Sequence, residues 1–461
     1  MNLKDRYGLL ILGTVLMLLF GCEREIDQGK IIAEVDGRKI AVDEFVLAYE
    51  YAPTSITQQA VKVAYDQVLE GIIDRVMLAG VGRQQGLEAD PQINRIVDYY
   101  RRAAIVRELF IDHIRKRVEV SDNELRKAYQ LSKITLLVKH YEFESWAESK
   151  LSTDSLLKLN HQPLLEGLKT IDYPEYGLVD LIGWNDLRTE LESILYKLEL
   201  GQPSEPIWDT GKYHVFIVVD NEQEILLTEN DYIANQASIA TVIRRRKEHR
   251  LAFDYVREIM APQQLRFKSD GLTKLSDYLW QFNQKIPPEL RLQQAVELPS
   301  LVNEDTGLLK QALADFGDYS WTIEDFIFHY SIKPLSINYN NRYSVSAGVK
   351  NATAIYIRDF VLSEQGLAEG LAERRSVIKE RRYWSEQLLA DRVRREIYTD
   401  FRNQVTDSTQ LEKQFADYYA DYLSTLRGFS ESNIDTSALY SVVTSSTGLS
   451  RKINFVSTLL P

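Results

Sequence analysis

The chain is 461 residues long and carries 67 acidic against 55 basic side chains, a formal net charge of −12 that argues against a general nucleic-acid binder. A hydrophobic content of 44%, with 22 glycines and 12 prolines, excludes collagen-like or largely low-complexity sequence and fits two to four folded domains at roughly 150 residues each. The single cysteine, Cys22, excludes an internal disulfide.

Lys4 and Arg6 precede an uncharged apolar run from Tyr7 to Phe20. A helix needs about 20 residues to cross a bilayer core, so this shorter run reads as the apolar region of a secretory signal peptide. Leu19-Phe20-Gly21-Cys22 then resembles the bacterial lipobox, with a branched apolar residue three positions before the cysteine and a small one beside it. That resemblance implies removal of residues 1–21, lipid on Cys22, and a periplasmic chain anchored to the cell membrane or outer membrane. Glu23, where an aspartate would signal retention, favours the outer membrane.

Ile31 to Ile40 reads as two short strands about an Asp36-Gly37 turn, because that dipeptide accepts the positive φ of a tight hairpin. A helix begins within Ala41 to Phe45. From Gln58 to Val81 the residues Val61, Ala64, Val68, Ile72, Ile73, Val76 and Met77 recur at helical spacing and predict a buried face, ended by Gly86. Asp90-Pro91 opens a helix expected to reach about Val118, and Ser121 to Glu124 has the form of a capping box. This succession resembles the N-terminal chaperone module of SurA-type and PrsA-type foldases, over roughly residues 30 to 130.

The next segment resembles the parvulin domain that this family places there. Leu198 to Ile207 matches an L-x-x-G-x-x-S-x-P pattern, Gly211 to Ile217 matches a closing G-Y-H-I-I strand with one extra residue, and Asp180 to Trp184 resembles a central D-L-G-W. The resemblance implies a prolyl-isomerase pocket in which two histidines on adjacent strands orient an acidic or thiol group beside an apolar slot. It carries the first histidine's position onto Thr135, the second onto His214, and the ring-contacting positions onto Leu187, Leu191 and Tyr196. The acidic position falls between Lys139 and Glu175, where the pattern has no counterpart. His140, five residues past Thr135, is expected on the opposite face of the same strand and is not a substitute. The expected activity is therefore weak or absent.

A long helix is expected from Thr228 to Met260, its buried stripe drawn from Ile233, Ala237, Ile239, Ile243, Leu251, Tyr255 and Ile259. The chain then repeats itself: Phe316 to Phe326 aligns with Asp36 to Phe45, and Ile357 to Leu362, Gly370-Leu371 and Tyr383-Trp384 follow Ile73 to Leu78, Gly86-Leu87 and Tyr99-Tyr100 at an offset of 284. The expected fold is α+β, mostly α. Its expected parts are a signal peptide (1–21), a helical chaperone-like module (22–130), a degenerate parvulin-like domain (131–222), connecting helices (223–310), a second helical chaperone-like module (311–430) and a C-terminal tail (431–461).

Other chemistry finds little support. The six histidines lack metal-ligand spacing, and there is no H-E-x-x-H, C-x-x-C, Walker loop or G-x-S-x-G, so neither a metal nor a cofactor is expected. Arg244-Arg245-Arg246-Lys247 reads as a charged helix face paired with acids, with contact to anionic headgroups as the alternative. Tyr49, Tyr51, Tyr99, Tyr100, Tyr383 and Trp384 either fill cores or line a client-binding cradle. The expected function is a membrane-anchored chaperone that binds unfolded or nascent exported proteins, outer-membrane proteins among them. An active parvulin-type isomerase and a structural lipoprotein subunit of an envelope complex are the alternatives.

Overall fold

The structure, a computed structural model, describes residues 29–156, 178–209, 211–224, 228–285, 306–405 and 410–435. Cys22 and the apolar run before it lie outside the described residues, as do most of the stretch between Lys139 and Glu175 that was expected to lack the acidic position and most of the C-terminal tail. The fold is α+β and mostly α: among the described residues, long helices with three small antiparallel sheets. No helix among the described residues is long and apolar enough to cross a membrane.

Strands β1 (Ile31–Val35) and β2 (Arg38–Ala41) form the expected hairpin, with Asp36 and Gly37 at φ of 49° and 77°. Helices α1 (Val42–Tyr51), α2 (Val61–Gln84) and α3 (Pro91–His113) follow. The α2 stripe is buried as its spacing requires, except for Val61, which opens the helix and faces solvent. Helix α3 stops short of Val118, because a 3-10 turn at Arg115–Arg117 interrupts it.

Helix α4 (Asp122–Leu131) starts with a complete capping box: the Ser121 hydroxyl accepts from the Glu124 N–H, and the Glu124 carboxylate accepts from the Ser121 N–H. Next come β3 (Ile134–Phe143), α5 (Trp146–Leu156), β4 (Leu178–Ile182), α6 (Thr189–Leu195), β5 (Ile207–Asp209), β6 (Lys212–Gln223) and α7 (Glu229–Met260). The strands form one antiparallel sheet in the order β4-β3-β6-β5. One face of the sheet packs Leu136, Val138, Phe216 and Val218 against Leu191 and Leu195 of α6; the other gathers Val215, Ile217 and Val219 with Leu137, Tyr141 and Phe143. On α7, Ile239 is buried as expected and, with Tyr232, supplies the contact with α4, whereas Ile233 and Leu251 are exposed rather than buried.

The remaining elements are β7 (Arg266–Phe267), α8 (Ser269–Lys285), β8 (Ala312–Phe316), β9 (Tyr319–Thr322), α9 (Ile323–Ile332), α10 (Arg342–Ala368), α11 (Arg375–Gln404), α12 (Leu411–Phe429) and β10 (Ser432–Ile434). Among the described residues, 111–257 form one compact unit, and those up to Phe110 together with those from Glu258 form the other.

Within that second unit the internal repeat is structural. The succession β1-β2-α1-α2-α3 recurs as β8-β9-α9-α10-α11, and the left-handed glycine joint at Gly86 recurs at Gly370. The two copies exchange elements. Helix α2 of the first copy packs along α11 of the second. Helix α3 of the first meets α9 of the second, where Arg95 bonds both Glu324 and Asp325 at 3.1 Å. At the equivalent place Lys379 of α11, 284 residues after Arg95, donates to the Asp43 carbonyl of α1 at 3.1 Å, and Arg375 one turn earlier reaches the Asp43 carboxylate at 3.0 Å. Gly82 of α2 lets Leu389 and Val393 of α11 approach within van der Waals reach, and Gly366 of α10 does the same for Ile105 of α3. Tyr100 and Trp384 occupy equivalent positions in the two copies and stack on each other, centroids 3.5 Å apart and planes within 5°. The exchange extends to the sheets, since β10, after the second copy, completes the order β10-β1-β2 on the first, while β7 completes β7-β8-β9 on the second.

A candidate histidine pair on the four-stranded sheet

Strands β3 and β6 are the long central pair of their sheet, with His140 opposite Phe216 and Glu142 opposite His214. Directly opposed residues of antiparallel strands share a face, so His140, Glu142, His214 and Phe216 lie together with Leu136, Val138 and Val218. His140 Nε2 and His214 Nδ1 are 2.7 Å apart, and the His140 ring lies over Phe216 with centroids 4.6 Å apart and planes within 10°.

This geometry assigns the protons. His214 Nε2 lies 2.8 Å from the Asp209 carbonyl, which only accepts, so Nε2 carries the hydrogen. In the neutral ring Nδ1 is then the acceptor, and His140 Nε2 donates to it. The His140 ring is held below its usual pKa, first by burial and then by the neighbouring His214, while Glu142 and Asp180 oppose the shift. The Glu142 carboxylate is held low chiefly by its hydrogen bond from Lys212, 2.9 Å away.

Thr135 does not take the place of the first histidine. It pairs with Glu222, near the far end of β6 from His214, and it points to the other face of β3. The expectation that His140 and Thr135 lie on opposite faces was right, but His214 shares the face of His140. The parity across the sheet is set by the β3–β6 register, which shifts at a bulge between Leu137 and Val138.

Leu187, Leu191 and Tyr196 do gather on the face of the histidine pair. Leu191 is buried in the cluster of Leu136, Val138, Phe216 and Val218, and Leu187 and Tyr196 pack against it half-buried. The Tyr196 hydroxyl donates to the Ile134 carbonyl at 2.9 Å, and burial, aided by the Glu192 charge, pushes its pKa up to about 12.

Beside them the basic cluster is used internally. Arg246 holds the buried Glu192 carboxylate at 2.7 and 2.8 Å and covers the Trp184 ring, while Lys247 pairs with Glu124 at 2.5 Å. These pairings are those of a charged face and leave Arg246 and Lys247 committed within the unit. The aromatic residues at the repeat are also internal: Tyr51 stacks on Tyr383 at 5.2 Å and meets Trp384 at 5.1 Å, and Tyr49 packs on Tyr65 at 5.2 Å.

No protein-family model matches the chain, and no curated protein matches it. Among solved structures it is similar to a SurA-like chaperone of Campylobacter jejuni, from work on PEB4 and Cj1289, at 15% identity and a TM-score of 0.24, covering 52% of this chain and 100% of that one. It is also similar to the peptidylprolyl isomerase PrsA of Bacillus cereus at 14% identity and a TM-score of 0.21, over 48% of this chain and 86% of that one. The foldase PrsA of Lactococcus lactis matches at 15% identity and a TM-score of 0.20, over 50% and 93%.

Proposed function

We propose that the chain is an extracytoplasmic folding factor whose four-stranded sheet isomerises Xaa-Pro bonds in unfolded exported proteins. The observation that carries this reading is the His140–His214 pair, hydrogen-bonded at 2.7 Å on the sheet face that also carries the apolar bed of Leu187, Leu191 and Tyr196. Two histidines on adjacent strands are what the parvulin resemblance implied and what Thr135 could not supply.

Conjugation of the C–N bond sets a barrier of about 18–20 kcal/mol to rotation. An apolar bed that takes the proline ring removes water from the amide, which weakens the planar, polarised form that water stabilises. Asp180, opposite Val138 on the same face, supplies the acidic group that the sequence pattern placed elsewhere.

Isomerisation of an Xaa-Pro peptide by the full chain tests this. His140→Ala and His214→Ala are each expected to slow it at least about tenfold, some 1.4 kcal/mol, while Thr135→Ala leaves it within about twofold. Unchanged turnover in His140→Ala would sink the assignment.

A passive holding role is favoured by a different observation: Trp146, Leu151, Leu181 and Trp208 expose large apolar surfaces on the same unit. Suppression of client aggregation that survives both histidine substitutions but falls with Trp208→Ser identifies it. We assign the membrane tether to lipid on Cys22; mass spectrometry of the mature N-terminus reads this directly.

A further inference from the structure

We propose that His140, Glu142 and His214 form a binding site for one divalent transition-metal ion of borderline softness, zinc being the representative, and that occupancy silences the histidine pair. The silencing rests on the isomerase reading above; the binding does not.

Nitrogen and oxygen atoms of these three side chains lie within 4.8 Å of one another. Two imidazoles and a carboxylate are a donor set that suits zinc and its first-row neighbours and leaves a fourth position for water. The donors are also placed by backbone rather than by chance side-chain meeting. Glu142 sits directly opposite His214 in the ladder, and His140 is two residues along the same strand, hence on the same face.

The surroundings resemble those of metal-bound histidines. His214 donates its remote nitrogen to the Asp209 carbonyl, which fixes the ring and aims the Nδ1 lone pair into the cluster. Phe216 fixes the His140 ring by stacking.

Binding asks for small changes. The two nitrogens now 2.7 Å apart must open to about 3.3 Å, the separation of two ligands at roughly 2.0–2.1 Å in a tetrahedral shell. The His140 proton moves from Nε2 to Nδ1, which frees the Nε2 lone pair for the ion. Glu142 must turn from Lys212; both side chains are about two-fifths exposed, and such pairs are worth roughly 0–1 kcal/mol. Glu144, 3.7 Å from Lys212, remains to hold that ammonium. Once bound, the ion consumes the hydrogen bond on which the isomerase reading depends.

The test uses the full chain carrying Cys22→Ser, so that the thiol does not compete, with equilibrium dialysis against zinc chloride and cobalt chloride as an absorbance probe. One ion per chain is expected, with visible cobalt bands of a four-coordinate site. His140→Ala and His214→Ala should each lose the bands and at least about a hundredfold in affinity, and Glu142→Gln, which spares both rings, about tenfold. Thermal melts of the variants establish that each is folded. No retained ion, or retention that the two histidine substitutions leave unchanged, overturns the site. Peptide isomerisation that falls in step with zinc occupancy supports the silencing, and turnover unchanged at full occupancy overturns it. A metal-free chain without turnover overturns the isomerase reading and the silencing together, while the dialysis result still decides the site.

Discussion

At the scale of single residues, buried charge is concentrated where the two copies of the repeat meet. Glu380 of α11 is almost fully buried and accepts from both guanidinium nitrogens of Arg107, at 2.5 and 3.0 Å, and from the Tyr51 hydroxyl at 2.7 Å. Burial and this carboxylate together raise the Tyr51 pKa, so its phenol stays a donor. Removing one partner of such a group strands the others, so Glu380→Ala is expected to cost about 2–3 kcal/mol in denaturant unfolding, discounted because Arg107 is partly exposed. His329 of α9 gives a pH signature. Its ring packs among Tyr99, Trp321 and Tyr356, Nδ1 donates to the Asp325 carbonyl at 2.8 Å, and burial above all lowers its pKa. The unfolded chain therefore takes up this proton first, near pH 6.5. The stability it supports is complete above that pH and is lost as the pH falls toward the folded value. The unfolding midpoint is expected to drop between pH 7 and pH 5, and to drop less in His329→Phe.

At the scale of elements, the local code was legible where it is local. The Asp36-Gly37 hairpin, the Ser121 capping box and the buried stripe of α2 depend on neighbours within a few residues, and all three stand in the structure. The exposure of Ile233 on α7 was not legible, because a 32-residue helix offers several apolar stripes and only its partners select one. The same distinction separates two helical glycines. A Cβ on Gly271 of α8 would strike the Ala312 carbonyl of β8, whereas one on Gly80 of α2 meets nothing within 4 Å. Gly271→Ala is expected to destabilise by about 2 kcal/mol or more, since backbone yields poorly, and Gly80→Ala to stabilise by about 0.5–1 kcal/mol through helix propensity. Thermal melts of the two variants should move in opposite directions.

At the scale of the whole molecule, the repeat makes the folding of each copy depend on the other. β10 comes from the end of the second copy yet hydrogen-bonds β1, α11 lies along α2, and the Tyr100–Trp384 stack joins equivalent positions. A chain divided between Lys285 and Thr306 is therefore expected to yield fragments that co-purify when expressed together and aggregate when expressed apart. Recovery of either fragment alone with a sharp melt would contradict this. The amino-acid sequence by itself determined the repeat, the mostly helical α+β class, and the presence of His214 and of the apolar residues Leu187, Leu191 and Tyr196 beside it, because periodicity and motif order are written along the chain. It misplaced the histidine's partner. His140 meets His214 because the register of two strands about 70 residues apart in sequence sets Glu142 opposite His214, and a shift of one residue would send the two rings to opposite faces. Only the tertiary structure decided that register, along with the exchange of strands between the copies, since both are set by pairing between distant segments that no local pattern encodes.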